Sequence, residues 1–453
     1  MANRTQPTIV GALFTSFILT SMVSAQSRQP YPNAVTDQLI HRETPMLPPP
    51  RNVVFTDPDF GSAMVRATDE TTNFKAPGTF LVSAGSGYAN EWSNDNKKFY
   101  VLGRGGQVLV FGFDPSTMAV GSLPQAESGQ AFLLPLRGGA SFSFIDPDLI
   151  YGTADPDTLT IVSYRFSTGV STPVIDTRTC GLQPALGSGP HVVSDDDVSV
   201  SEDENRISIS EGGPDFGEDM FVVVYDRVLG CRWYNTQTGQ IGGQWGPSGT
   251  ATVGTDYLIR HARLSRSGNY IRIMTDALAW YVWDLETLNV VSCPLDCGGY
   301  GALGYNSFFN APGKIDDMYM VKRPLSDLSQ VTPLLSPLPS TGWGEDNHFS
   351  WNNVDVSDSA PVCASTYSYD GDWTVEEPFV GEVLCIETDG LASTIWRFAH
   401  DRAVFIKPYY HTQPLGTVSA DGSFYLFDSD WDAQLGIGTD GTPRSDVFIV
   451  KLK

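Results

Sequence analysis

The chain has 453 residues, with 28 Lys and Arg against 52 Asp and Glu, a formal net charge of −24. A surface this negative repels phosphate backbones and anionic lipid headgroups, which disfavours nucleic-acid and peripheral-membrane roles. With 41% hydrophobic and only 18% charged residues, the chain is expected to bury a large core rather than remain disordered.

Residues 1–25 read as a secretory signal. Arg4 stands near the start, an apolar run extends from Ile9 to Leu19, and Val23-Ser24-Ala25 forms a small-residue cleavage site. No later stretch approaches the roughly 18 apolar residues a membrane helix needs, so an extracellular or periplasmic protein without membrane insertion is expected. Residues 26–52 are polar and end near Pro48-Pro49-Pro50, the composition of an extended or surface-hugging arm. Residues 53–453 then read as a single domain.

Short β-rich runs alternate there with Gly, Pro, Asn and Asp clusters, and no long stretch carries a helical period. Four runs share one turn. Ser93-Asn94-Asp95-Asn96, Ser201-Glu202-Asp203-Glu204-Asn205, Ser265-Arg266-Ser267-Gly268 and Ser419-Ala420-Asp421-Gly422 each lead into an aromatic or β-branched strand. A second turn, of the D-x-x-T-G kind, follows Phe113, Phe166, Trp233 and Trp283. Recurrence at about 40 to 50 residues is the mark of a four-stranded unit repeated around an axis. The fold expected is an all-β, seven-bladed β-propeller, with blades near 85–120, 138–176, 195–241, 258–293, 300–335, 348–397 and 408–453. Six and eight blades stay open at this stage. Closure is expected from Ala63 to Thr68, or Val53 to Phe55, pairing with Val447 to Val450, which would hide the sheet edges.

Six widely spaced cysteines suit disulfides in an oxidising compartment. We pair Cys180 with Cys231, Cys293 with Cys297 and Cys363 with Cys385, although six cysteines allow 15 connectivities.

The Ser-x-Asp-Gly hairpins resemble the repeats of TolB-type propellers. His411-Thr412-Gln413-Pro414, followed by Ser419 to Asp430, resembles the closing blade of oligogalacturonate lyases. Thr56 to Gly61 and Met64 to Asp69 resemble the opening of exported propellers of soil bacteria that have no assigned activity. The lyase resemblance implies a divalent metal held in the central channel by histidines and a glutamine, and a base that takes the proton alpha to a uronate carboxylate. His411 and Gln413 match that motif, but the family's His-x-His reads His411-Thr412-Gln413 here, one imidazole short.

His261, His348 and His411 stand at or just before innermost strands, where side chains face the axis. With Gln413 they form a candidate shell for Mn, Zn or Ca; the plainer role is hydrogen bonding to backbone carbonyls. Asp346 is a further donor to that shell. The catalytic candidates are His261, Arg263, Arg402 and Tyr410, with Arg260 and Tyr409 beside them, because elimination requires the uronate charge to be neutralised by a planar guanidinium. Trp343 and Trp373 could stack on sugars, whereas Trp92, Trp351, Trp396 and Trp431 divide between packing and exposure. Asp428-Ser429-Asp430-Trp431-Asp432 resembles a calcium loop but lacks its Gly and Glu, as Ala433 and Thr439 show, and a solvated turn is expected. The partner expected is a carbohydrate or an extracellular protein, with self-association open. The functional expectation is a glycan-binding propeller, either a metal-assisted lyase or a non-catalytic binding or self-assembling scaffold.

Overall fold

The computed structural model describes residues 30–85, 90–126, 131–154, 159–182, 198–212, 219–252, 257–275, 277, 279–293, 301–311, 320–335, 346–367, 378–389 and 394–453. The expected signal segment, Cys297, Trp343 and Trp373 lie outside them.

Among the described residues the strands form five antiparallel sheets of 5, 8, 10, 4 and 4 strands, and the 8- and 10-stranded sheets each consist of two consecutive meanders joined by the pairing of Gln107–Asp114 with Phe132–Phe142 and of Asp219–Asp226 with Ile259–Leu264. The first meander begins at Leu81–Val82, the second at Phe132–Phe142, the third at Ser199–Val200 and the fourth at Ile259–Leu264. The fifth begins at Ala302–Leu303, the sixth at Asp346–Ser350 and the seventh at Gly416–Val418. Apolar clusters lie between neighbours all the way round. Tyr100, Val108 and Val110 of the first meander pack on Leu136, Phe142 and Ile150 of the second. Tyr151 and Ile161 pack on Ile207 and Val223, Val222 and Tyr234 on Leu264 and Ile273, and Met274 and Val282 on Leu303 and Phe308. Phe309 and Met320 meet Phe349 and Val362, Val383 and Phe398 meet Tyr425 and Phe427, and Phe424 and Leu426 return to Phe99 and Val101 of the first. The ring of contacts is closed, as in an all-β propeller.

This ring explains why the strands read as continuous apolar runs. Successive side chains point to opposite faces, and here both faces are covered. Phe99 and Val101 face the seventh meander while Tyr100 faces the second. Phe424 and Leu426 likewise oppose Tyr425 and Phe427.

The repeated serine turn has a specific mechanical role. Ser93 Oγ donates to Asp95 at 2.7 Å and accepts from the Lys98 amide at 2.9 Å. Ser201 and Ser419 repeat the pattern with Asp203 and Asp421. The fourth position of each turn has positive φ: 58° at Asn96, 56° at Glu204, 73° at Gly268 and 69° at Gly422. That region favours Gly and Asn. At Glu204 the strained backbone is held through its carboxylate, which accepts from the hydroxyls of Ser143 and Tyr151.

Closure follows the expected pairing. Strand Ala63–Arg66 lies antiparallel to Asp446–Lys451, with Val65 opposite Ile449, and Val54–Thr56 adds outside it. Arg66 reaches across the seam to the buried Asp446 carboxylate, which Arg444 also contacts at 2.8 Å. Cys180 is bonded to Cys231, joining the second and third meanders, and Cys363 to Cys385 across adjacent strands. Cys293 is likewise disulfide-bonded. These two described bridges match the expected pairs. No helix of the described residues is long and apolar enough to cross a membrane.

The arm is more firmly fixed than its composition suggests. Tyr31 is buried in the cluster between the sixth and seventh meanders, edge-on to Trp396 and Phe398. Val35 pairs with Arg397, whose guanidinium binds Glu382 and the arm's Asp37 and Leu39 carbonyls. Further on, Arg402 grips Glu43 at 2.8 Å and the Thr44 carbonyl at 2.9 Å. Trp431 Nε1 donates to the Met46 carbonyl. Asp428 and Asp430 are buried rather than solvated, accepting from the Ser83 and Val404 amides, so the expected exposed acidic turn is corrected. Trp92, Trp351, Trp396 and Trp431 all belong to the core.

Replacing Arg66 with Met strands the Asp446 charge beside Arg444 alone and is expected to cost roughly 3 kcal/mol in urea unfolding. Burial pushes the Glu43 carboxyl up to about 8 against the opposing pull of Arg402, and the Asp432 carboxylate adds to the rise. Between its ordinary 4.5 and about 8 the folded chain therefore holds more protons than the unfolded one, and arm docking weakens as pH rises through that window. Asp432→Asn is expected to flatten the fall in melting temperature between about pH 5 and 8.

Candidate axial site

The site grows from the innermost strand of the sixth meander, Asp346–Ser350, and from the connection that crosses from this meander to the next, 401–415. Antiparallel pairing sets His348 opposite Ser365 and Asp346 opposite Tyr367. The connection is shaped locally: the Ile406 amide donates to Thr412 Oγ1, which itself donates to the Tyr409 carbonyl, and a short 3-10 turn spans Tyr410–Thr412. The Ser365 hydroxyl donates to the Pro414 carbonyl, pinning the end of the connection to the strand beside His348. Gln413 is thereby delivered to His348, with Oε1 3.1 Å from Nε2. Tyr425 Oη donates to the His348 carbonyl at 3.3 Å from the neighbouring meander.

His348 is buried, and burial brings its imidazole down to about 4, with the Gln413 hydrogen bond opposing the shift. It is neutral at physiological pH. Its ring stacks parallel to Tyr367, centroids 5.4 Å apart. Tyr367 meets Phe405 edge-on at 5.8 Å, and Phe405 lies 6.2 Å from the ring of Tyr410. Tyr410 is 60% exposed. A line of four rings therefore runs from the surface to a neutral imidazole paired with an amide. Tyr367, Phe405 and His348 are buried in this line, so Tyr410 is the ring that presents a face to solvent, with the polar pair packed behind it.

The other candidates are not drawn into this line. The His411 ring stacks on Phe80 at 4.0 Å and its Nε2 is bonded to the Pro443 carbonyl at 2.9 Å. This is the plainer role weighed for it. His261 sits half-buried in Ile259–Leu264, opposite Met274, and Arg263, two residues on, is buried with Nη1 donating to the Ala262 carbonyl. Arg402 was expected to meet a substrate carboxylate; its guanidinium instead holds Glu43 and Thr44 of the arm and lies 3.7 Å from Asp432. Among the described residues no three His, Cys, Asp or Glu side chains form a group able to hold a metal ion. The donor set His261, His348, His411 and Gln413 does not fit a shared divalent metal, since His411 is spent on a backbone carbonyl and Gln413 on His348. Of the expected residues, only His348, Gln413 and Tyr410 belong to one contiguous feature. Tyr367 and Phe405 were missed, and no repeat or spacing in the sequence marks them.

No family model matches the chain, and no curated protein matches it. Among solved structures, an oligogalacturonate lyase from Vibrio parahaemolyticus is similar over 88% of this chain and 96% of its own, at 13% identity and a TM-score of 0.49. Another, an oligogalacturonate lyase in complex with manganese, covers the same shares at 13% identity and a TM-score of 0.34. No residue role is carried over from either.

An imidazole that is neutral in the fold and charged when unfolded destabilises the protein as pH falls from 6.5 towards about 4. His348→Phe is expected to remove that part of the acid sensitivity, read as a smaller loss of melting temperature over the same range. In the wild type, the His348 ring resonances should titrate far below those of an exposed histidine.

Proposed function

We propose that the protein is an exported propeller that binds a carbohydrate at the mouth lined by Tyr410, Phe405 and Tyr367, with His348 and Gln413 at its inner end. The observation that carries this reading is the line of rings, exposed at Tyr410 and ending on a buried hydrogen-bonding pair. Sugar rings present apolar C–H faces and polar edges, which aromatic walls and an amide suit. The disulfides fit an oxidising compartment outside the cytoplasm. The high negative charge favours a short or neutral glycan over a long polyanion, which it would repel.

A lyase-type elimination on a uronate-containing glycan is the reaction to test at this mouth. No metal-dependent step is derived, because the donors are not assembled for one.

The decisive experiment titrates neutral and uronate-containing oligosaccharides into the full-length mature protein by calorimetry. Tyr410→Ala is expected to weaken binding about tenfold, or about 1.4 kcal/mol. Product formation is followed as unsaturated uronate absorbance at about 235 nm, which reports removal of the alpha proton. Absorbance that is lost in His348→Ala supports the lyase. Binding without product supports a non-catalytic glycan-binding protein, and binding of no glycan overturns the reading.

A further inference from the structure

Arg266 occupies a place that neither the carbohydrate reading nor the fold uses. It lies in the hairpin turn of the fourth meander, where its amide donates to the Gly304 carbonyl of the fifth and its carbonyl accepts from Glu202 of the third. Its side chain leaves this neighbourhood. The guanidinium lies 4.6 Å from the ring of Phe144, beyond the end of strand Phe132–Phe142 in the second meander. Nη2 reaches Asn352 Oδ1 of the sixth meander at 3.4 Å. Asn352 in turn donates to Asn90 Oδ1 of the first at 2.5 Å, and Asn90 Nδ2 donates to the Phe142 carbonyl. In a closed ring of meanders, side chains of the first, second, fourth and sixth members can meet only on the axis. Arg266, Asn352, Asn90 and Phe144 therefore converge at one end of the channel.

The convergence is incomplete in charge. Arg266 is 4% exposed, its Nε meets no acceptor, and among the described residues its only side-chain hydrogen bond is the long one to Asn352. Among the described residues no carboxylate pairs with it there. Asn352 Oδ1 faces the cation as an uncharged acceptor, and Phe144 supplies a ring face. Burial lowers the guanidinium only to about 10, so it stays charged at neutral pH. A buried cation is ordinarily matched by an anion with acceptors for its N–H groups.

We propose that the Arg266 guanidinium, with Asn352 at its edge, forms an axial site for a small oxyanion, either an organic carboxylate or an inorganic sulfate or phosphate. The oxyanion accepts from the guanidinium. The site is separate from the aromatic mouth. His348 lies within strand Asp346–Ser350 and Asn352 two residues past its end, at most about 13 Å apart at the rise of a strand. It does not rest on the carbohydrate reading.

The test melts the full-length mature protein in chloride buffer with millimolar sulfate, phosphate, acetate or glucuronate, each at matched ionic strength. Those concentrations lie below the range where salts act by general exclusion. A saturable rise in melting temperature is expected for at least one anion, with calorimetry giving its dissociation constant. Response to sulfate and phosphate alone identifies an inorganic ligand, and response to acetate or glucuronate identifies a carboxylate. Arg266→Met is expected to lose the response. Should that variant fail to fold, Asn352→Asp decides the matter: an internal carboxylate beside the guanidinium is expected to preserve or raise the melting temperature and to abolish the anion response. A wild type that melts identically in every anion overturns the proposal. So does an Asn352→Asp protein that still responds.

Discussion

Everything in this molecule depends on one seam, where strand Ala63–Arg66 lies against Asp446–Lys451. A propeller is a row of sheets each of which buries both faces against its neighbours, and a row has two ends with bare apolar faces and open strand edges. Pairing the two ends converts the row into a ring. Met64 then fills the cluster on one side of the last meander and Val65 the cluster on the other. Arg66 and Asp446 add a buried charge pair that fixes the register, because a shift of one residue would exchange every face of both strands. The serine turns work at smaller scale towards the same end. By tying a hydroxyl to the amide five residues on, they hold the inner hairpins of the first, third, fourth and seventh meanders in the same shape.

The arm and the mouth are both consequences of where the ring closes. The sixth and seventh meanders carry Arg397 and Arg402, and these two buried cations find their partners partly within the ring and partly on the arm. The same region contains the 401–415 connection that brings Gln413 to His348. Structure that fastens the arm and the line of rings are thus built from one stretch of sequence, with Arg402 serving the first and Tyr410 and Gln413 the second.

The all-β ring was legible because its determinants are local and repeated. Continuous apolar strands, the Ser-x-Asp turns and the apolar character of both terminal segments each have a short-range cause. The cysteine pairs were guessed among alternatives, and the two described bridges agree. Site residues fared differently. His348 and Gln413 were named for a metal shell, yet their meeting is a hydrogen bond created by a cross-connection 65 residues apart in sequence. Tyr367 and Phe405 carry no pattern, since their contact depends on how that connection folds back. Arg402 looked like a carboxylate-binding residue and is one, but its carboxylate belongs to the arm. Charge chemistry can be read from residue type, whereas the identity of the partner depends on tertiary geometry.

The seam also orders events in time. Arg66 and Asp446 are separated by 380 positions, so during synthesis from the N-terminus the strands near residue 60 are made first and paired last. Through nearly the whole of translation they have no sheet to join, and the first meander has no neighbour on one face. Contacts of such long range form slowly and leave apolar edges open to wrong partners in the meantime.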